Sequence, residues 1–335
     1  MGTGPFAVPS FEAIRNGPHS IAAVVTRPLP PVKSRGGPPP QPVADWAAAH
    51  PLPVLRPDSI NDDATVDALA RLRPDLLVVC DYGQILKPAA LSTARLGGIN
   101  LHGSLLPAYR GAAPVQRAVL SGDNETGVTV IHMTPKLDGG PSLATRVTPI
   151  RPRETAGELE QRLSELGVDA VLDSIEVLRT WDETSPIGEI QDATRVSKAP
   201  RLSKSEAQID WSRSSRLIDC HVRGMQPWPV AYTFYDASPG GSGGASPVRV
   251  QIKAVTIVDP DSVAADTATA DAVGHAAPGQ LILGDGLLVA TGDGVVRIDA
   301  LQPAGKKPMS GEAFVNGYQP NASARFVSAP DDAKS

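Results

Sequence analysis

The sequence predicts an α/β fold: a doubly wound sheet domain over residues 1–180, then a small antiparallel β-barrel over residues 206–319. Three observations carry this. Short runs of branched apolar residues alternate with helical patterns through the first half of the chain. After residue 205, strand-like pieces divided by Gly-rich or Asp-Gly turns take over. A length of 335 residues also exceeds what one hydrophobic core usually serves, so two domains are expected.

In the first half, residues 21–26 (IAAVVT) and 76–80 (LLVVC) lack polar alternation, as strands covered on both faces of a parallel sheet do. Residues 99–102, 128–133 and 144–150 read as further strands. Helical spacing marks residues 10–15, 64–72, 111–120 and 155–178, the last with Leu159, Leu163, Leu166 and Val171 in register. Ser10 and Thr155 stand where N-caps belong, and Glu158 completes a capping-box pattern with Thr155. Residues 181–205 hold no sustained apolar period and carry Arg195, Lys198, Arg201 and Lys204, so they read as a linker. Beyond them come a short helix (214–225) and strands at 231–235, 248–258, 280–283, 287–291 and 295–301. Residues 237–247 (ASPGGSGGASP) and 259–277 read as inserted mobile loops, and 320–335 as a flexible tail.

The charge balance, 31 basic against 36 acidic residues, is −5, so no global basic field advertises nucleic acid and any basic surface must be local. Cys80 and Cys220 form no C-x-x-C pair. That argues against a disulfide framework or a Cys-built zinc site and fits a reducing cytoplasm. No apolar run reaches membrane-spanning length, and no signal-peptide pattern opens the chain. A soluble, cytoplasmic protein with no membrane partner is expected.

The sharpest feature is residues 97–107, GGINLHGSLLP. Strand alternation puts Asn100 and His102 on one face, and the glycines and proline then turn the chain. Ligands of open parallel sheets lie outside the carboxyl ends of strands, where these two groups would point. The strand at 128–133 runs on into KLDGG (136–140), which is expected to bring Asp138 to the same edge. Amide, imidazole and carboxylate at adjacent strand ends make a set for proton transfer and oxyanion stabilisation. Taken singly, N-x-H and Asp-Gly equally suit loop hydrogen bonding and an ordinary turn. With no suitable Ser or Cys nucleophile beside the histidine, direct transfer between two bound substrates is favoured over a covalent enzyme intermediate. His132 alternates with Val130 and reads as a packed residue, so no metal is expected. The opening Gly2-Thr3-Gly4-Pro5-Phe6-Ala7 fits the dinucleotide turn G-x-G-x-x-A, but no strand precedes it. Arg27, after the strand at 21–26, stands where NAD would need an acidic residue, which leaves an NADP-dependent oxidoreductase as a rival reading.

Residues 100–140 combine N-x-H, S-L-L-P, R-G-A-x-P-x-x-x-A and L-D-x-G. In this they resemble the formyltransferase family that uses 10-formyltetrahydrofolate. Its members act on glycinamide ribonucleotide, sugar nucleotides or methionyl-tRNA. Leu202-Ser203-Lys204 with Glu206-Ala207, Ile209-Asp210-Trp211, Pro227-Trp228-Pro229 and LQPAGKKPMS (301–310) are similar to the methionyl-tRNA branch. The resemblance covers nearly the whole chain. It implies a Rossmann-like catalytic domain and an OB-like, tRNA-binding second domain in a monomer. The implied reaction passes the formyl group of 10-formyltetrahydrofolate to the α-amine of methionyl initiator tRNA, for translation initiation. Asn100 would donate to the developing oxyanion, His102 would assist, and Asp138 would orient His102 and, through a water, receive the amine proton. Ser104, Leu105, Leu106 and Pro107 match the folate-contacting loop, and Tyr82, Gly83, Gln84 and Ile85 a second segment near it. Arg35, Arg201, Lys204, Lys306 and Lys307 are the implied tRNA contacts. The family pattern sets a full central strand before the methionine that Met1 matches, so that first strand is expected to be missing. A formyltransferase for another amine, such as a sugar nucleotide, and a non-catalytic RNA-binding protein on the same fold stay open.

The loop at 27–42 departs from the family's R-G-K-K, reading Lys33-Ser34-Arg35-Gly36-Gly37 between prolines. By the resemblance it enters the acceptor stem, whose weak first pair in the initiator makes opening cheap; prying apart a paired end costs a few kcal/mol. Arg35→Ala is expected to lower transfer to initiator tRNA far more than it weakens folate binding. Formylation of stems with weak and strong first pairs checks this, and an unchanged preference would remove the loop as the reader.

Overall fold

The computed structural model describes residues 1–29, 40–239, 246–259, 275–284 and 286–328. Arg35, the core of both expected inserts (240–245 and 260–274) and the end of the expected tail (329–335) lie outside these residues. The chain forms two compact units. One comprises Met1–Val115, Asn124–Arg151 and Glu158–Arg201; the other comprises Gln116–Asp123, Pro152–Gly157 and Leu202–Ser335.

In the first half, strands and helices alternate as expected. The order is α1 (Val8–Asn16), β1 (Val24–Val25), α2 (Pro42–Ala48), β2 (Val54–Leu55), α3 (Asp63–Leu72), β3 (Leu77–Val79) and α4 (Pro88–Leu91). Then come β4 (Gly98–His102), β5 (Arg110–Gly111), α5 (Pro114–Ser121), β6 (Glu125–His132), β7 (Ser142–Pro149), α6 (Ala156–Arg179) and β8 (Lys198–Ala199). Ser10 is not an N-cap: a 3-10 turn at Pro5–Ala7 leads straight into α1, whose cap position is Ala7. Pro5 and Pro9 preset the backbone angle that a first helical turn needs, so the chain coils earlier than Ser10 implies. α6 buries Leu159, Leu163 and Val171. It lies so close to β4 that a Cβ on Gly167 would stand 2.6 Å from Leu101 Cδ2.

A wholly parallel sheet does not form. β3 and β4 pair in parallel (Val79↔Asn100), but β6 joins β4 antiparallel (Ile99↔His132, His102↔Thr129) and β7 joins β6 antiparallel. β7 alternates between partly buried and exposed positions over most of its length, the pattern of an antiparallel edge strand with one solvated face. β1 and β2 form a separate parallel pair. Between β1 and β3, Gly2 N–H donates to the Val25 carbonyl (3.0 Å) and Cys80 N–H to the Met1 carbonyl (3.0 Å), so Met1 and Gly2 supply the backbone there. Residues 181–205, expected as a linker, contribute β8, which pairs in parallel with β5 through Arg110↔Lys198.

The second unit contains α7 (Ser215–Gly224), capped by the Ser214 hydroxyl, which accepts from Leu217 N–H. Its strands are β9 (Tyr232–Asp236), β10 (Val248–Ile257), β11 (Leu281–Gly284), β12 (Gly286–Ala290), β13 (Val295–Pro303), β14 (Met309–Ser310) and β15 (Arg325–Val327), with helix α8 (Gly311–Tyr318) between the last two. The sheet order is β11-β12-β13-β10-β9-β15, every pair antiparallel, with β14 on β13. Gln280 bridges Arg325, and Phe326 N–H donates to the Gly279 carbonyl (2.7 Å), so the two edges of this order hydrogen-bond to each other. The early segments are tied in as well. Arg117 pairs with Glu206 at 2.7 Å, and Arg153 with Asp299 at 3.2 Å.

β15 corrects the expected flexible tail. Phe326 is buried, stacked on Trp211 (centroids 5.6 Å apart) and set edge-on to Tyr235. A three-residue strand has too little length to show a period, and only its aromatic residue betrays it. Phe326→Ala is expected to destabilise the second unit by roughly 3–5 kcal/mol. Urea unfolding followed by tryptophan fluorescence measures this, and an unshifted midpoint would show the strand to be dispensable.

Candidate active site

β4 is the strand that carries the polar pair. Ile99 and Leu101 are buried on it, and Asn100 and His102 alternate with them as the period of two requires. Asp138 joins them, but not by the expected route. Because β6 runs antiparallel to β4, its carboxyl end at His132 lies beside Ile99, at the amino end of β4. The connection between β6 and β7 instead folds back to carry Asp138 to the pair. Two backbone features permit this. Asp138 has φ +46°, in the left-handed region, and a Cβ on Gly140 would stand 1.8 Å from the His132 carbonyl oxygen.

Asn100 Nδ2 donates to Asp138 Oδ1 at 3.5 Å, and the Gly111 amide donates to Asp138 Oδ2 at 2.9 Å. His102 Nδ1 is 3.8 Å from the same Oδ2, with both side chains largely buried. His102 Nε2 lies 2.9 Å from the Tyr109 carbonyl oxygen. A carbonyl only accepts, so Nε2 carries the proton, and in the neutral ring Nδ1 is the bare nitrogen facing the carboxylate. A proton taken up at Nδ1 would then meet a negative charge close by.

One residue in this construction was not foreseen. Gln191 Nε2 donates to the carbonyls of Asp138 and Gly140, both at 2.8 Å, while its Oε1 accepts from Arg110 Nε (3.1 Å) and Nη2 (2.5 Å). No pattern marks it, because it lies in the stretch without apolar period.

His132 is packed, as expected: Nε2 lies 2.9 Å from the Leu96 carbonyl, and the ring meets Trp181 edge-on. Among the described residues, no group of three or more His, Cys, Asp or Glu could hold a metal ion. The glycine turn at the start does not offer an open phosphate cradle. A Cβ on Gly4 would fall 2.1 Å from Asp81 Oδ2, so a carboxylate already occupies that face and would repel a pyrophosphate.

Residues 1–175 match the formyl transferase family and residues 201–319 the formyl transferase C-terminal domain. The chain is 60% identical over 334 residues to the methionyl-tRNA formyltransferase of Rhodopirellula baltica, a match spanning 98% of this chain and 95% of that one. The chain belongs to the methionyl-tRNA formyltransferase family. The enzyme of the same name from Desulfotalea psychrophila is 40% identical over 95% of this chain and 91% of its own. Among solved structures, the N-formyltransferase of Helicobacter canadensis, in complex with folinic acid and dTDP-3-aminofucose, aligns with a TM-score of 0.58 at 16% identity. That alignment covers 91% of this chain and 97% of that one. HypX of Aquifex aeolicus in complex with tetrahydrofolic acid aligns at 0.53 and 16% identity, over 80% of this chain and 43% of its own. At such identities the likeness is one of fold.

The segments that a methionyl-tRNA formyltransferase is expected to turn toward folate leave the carboxyl ends of two adjacent parallel strands, β3 and β4. Residues 104–107 form a tight, internally bonded turn. Ser104 Oγ donates to the Ala108 carbonyl (2.7 Å), and Thr129 Oγ1 accepts from Leu106 N–H and donates to the Ser104 carbonyl. Ser104 and Pro107 are buried, while Leu105 and Leu106 keep part of their surface exposed. In the second segment, Tyr82 is 2% exposed and packs in the core with Ile60 and Leu86. The Gln84 amide is taken up by the backbone of Ile60 and Asp58. Ile85, 61% exposed, is the side chain of this segment that remains open to a flat apolar ligand. Leu105, Leu106 and Ile85 therefore keep apolar surface exposed, while Tyr82 and Gln84 hold the fold.

Of the expected tRNA contacts, Arg201, Lys204, Lys306 and Lys307 are all exposed, the last two in a turn where Lys306 N–H donates to the Pro303 carbonyl. Arg216 and Arg223, farther along the chain, are committed to structure. Arg216 bonds the Gly122 carbonyl, and Arg223 bonds Asp219 (2.8 Å) and the Glu154 carbonyl (2.9 Å). Gly140→Ala would force the Asp138 loop off the His132 carbonyl. It is expected to cut formyl transfer by about 100-fold with circular dichroism unchanged, a cost typical of a misplacement near 1 Å.

Proposed function

We infer that the protein transfers the formyl group of 10-formyltetrahydrofolate to the α-amine of methionyl initiator tRNA. The observation that carries this is the 60% identity to a methionyl-tRNA formyltransferase over 98% of the chain. The amine attacks the formyl carbon that the folate donor supplies, the bond from that carbon to the donor nitrogen breaks, and tetrahydrofolate leaves with a proton on that nitrogen, balancing the one the amine gives up. Asn100 Nδ2 donates to the oxygen on which charge develops; removing one such donor typically costs roughly 100- to 1,000-fold in rate. His102 is steadied by its Nε2–H on the Tyr109 carbonyl, and its Nδ1 is the ring position free to hold a proton beside Asp138. Asp138 orients His102 and takes up, through a water, the proton that the amine releases. An α-amine titrates at about 7.7–8.0, so much of it is already neutral near physiological pH and a strong base is not needed.

In this reading the second unit is an OB-like barrel that holds tRNA phosphates through Lys204, Lys306 and Lys307, with Arg201 on the connecting segment. Such contacts give affinity and salt dependence without reading sequence. Arg35, outside the described residues, is the reader of the acceptor stem. The protein works as a cytoplasmic monomer.

Incubation with 10-formyltetrahydrofolate and charged initiator tRNA is expected to yield formylated product, whereas an amino-sugar nucleotide stays unmodified. Formylation of the sugar alone would overturn the acceptor assignment. Asp138→Asn is expected to lower turnover by roughly 100- to 10,000-fold while folate binding persists, since it keeps shape and removes charge. Near-normal transfer by His102→Ala would sink the assignment of the three residues.

A further inference from the structure

Asp138 stands on no regular element. It occupies an irregular connection between His132 and Ser142, in a left-handed backbone conformation that a non-glycine residue adopts only when its surroundings hold it there. Its carboxylate is gripped by Gly111 N–H and Asn100. Its main chain is gripped by Gln191, whose two amide hydrogens go to the carbonyls of Asp138 and Gly140 and whose oxygen takes two guanidinium donors from Arg110. The amide has two hydrogens and two lone pairs, and all four are used. Its orientation is therefore determined: turned over, it would set N–H against guanidinium N–H and oxygen against two carbonyls.

The anchors are themselves fixed. Arg110 is buried, and its N–H donates to the Ser197 carbonyl (2.9 Å) where β5 pairs with β8. Tyr109 N–H donates to Ser197 Oγ (2.8 Å), and Ser142 and Glu189 exchange both backbone bonds at 2.8 Å beside the loop. Residues 189–199 thus lie along the loop, and Gln191 holds it at two of its carbonyls.

We propose that Gln191, oriented by Arg110, is a positioning residue for formyl transfer: it sets the backbone of the Asp138 loop so that the carboxylate faces His102 Nδ1 and Asn100. This rests on the reading of Asp138 as a participant in transfer. Gln191 touches no substrate. It acts through two carbonyl oxygens, and its signature is a loss in kcat with little change in KM, because the binding residues stay where they are.

The test compares Gln191→Ala and Gln191→Glu in the full-length protein, alone and in an Asp138→Asn background. Gln191→Glu keeps the volume and the two contacts from Arg110 but offers the loop carbonyls oxygen in place of two N–H donors. Both single variants are expected to lose roughly 10- to 100-fold in kcat, the order of effect of a displacement near 1 Å, with KM for donor and tRNA held within about twofold. In the Asp138→Asn background, Gln191→Glu should cost nothing further. If Gln191→Ala does not fold, Gln191→Glu alone decides the matter. A normal kcat for Gln191→Glu, or an equal loss whether or not Asp138 is present, would overturn the proposal. Near-normal turnover by Asp138→Asn itself would instead remove the reading on which it rests.

Discussion

The hydrogen bond from the Gly111 amide to Asp138 Oδ2, 2.9 Å long, is the constraint on which the site depends. It joins a two-residue strand to an irregular loop, and neither has a regular element's own reason to stay in place. Gly111 can approach because it has no side chain: at φ +129°, a Cβ there would stand 2.6 Å from the Ala199 carbonyl oxygen. The amide therefore points at Asp138 because β5 is pressed against β8. A buried carboxylate needs such donors, because burial takes away the water that would otherwise solvate it. Here the Gly111 N–H and the Asn100 side-chain amide supply them.

The polar set is asymmetric in how it is built. Asn100 and His102 come from a strand paired on both sides, so their separation and facing follow from the pleat and tolerate little error. Asp138 comes from a loop whose placement must be assembled from side-chain and backbone contacts.

Much of this architecture could be read from the residues. Runs without polar alternation located β1 and β3, and N-x-H picked out the two side chains that the structure sets on one strand. Strand direction could not be read. A burial pattern has the same period whether a strand runs up or down, so β6 was expected to deliver Asp138 from a parallel neighbour when it lies antiparallel. The structure brings Asp138 to the pair, but by another route. Gln191 left no trace, because an amide acting on main-chain carbonyls needs no neighbours of recognisable type. Phe326 and α8 were missed for a related reason. Their stability comes from aromatic packing on Trp211 and Tyr235, partners distant in sequence.

The second unit is not contiguous in the chain, and this bears on how it is made. Arg117 and Arg153 find Glu206 and Asp299, partners 89 and 146 positions later. Synthesis at about 5–20 residues per second separates the last pair by roughly 7 to 30 s. For that interval the nascent chain holds strips such as Gln116–Asp123 that belong to a body not yet made. Leu120, which Gly224 will later meet, then waits among them. Newborn molecules therefore pass through a stage at which apolar surface is available to a holdase, and a pause in translation after residue 201 would lengthen it.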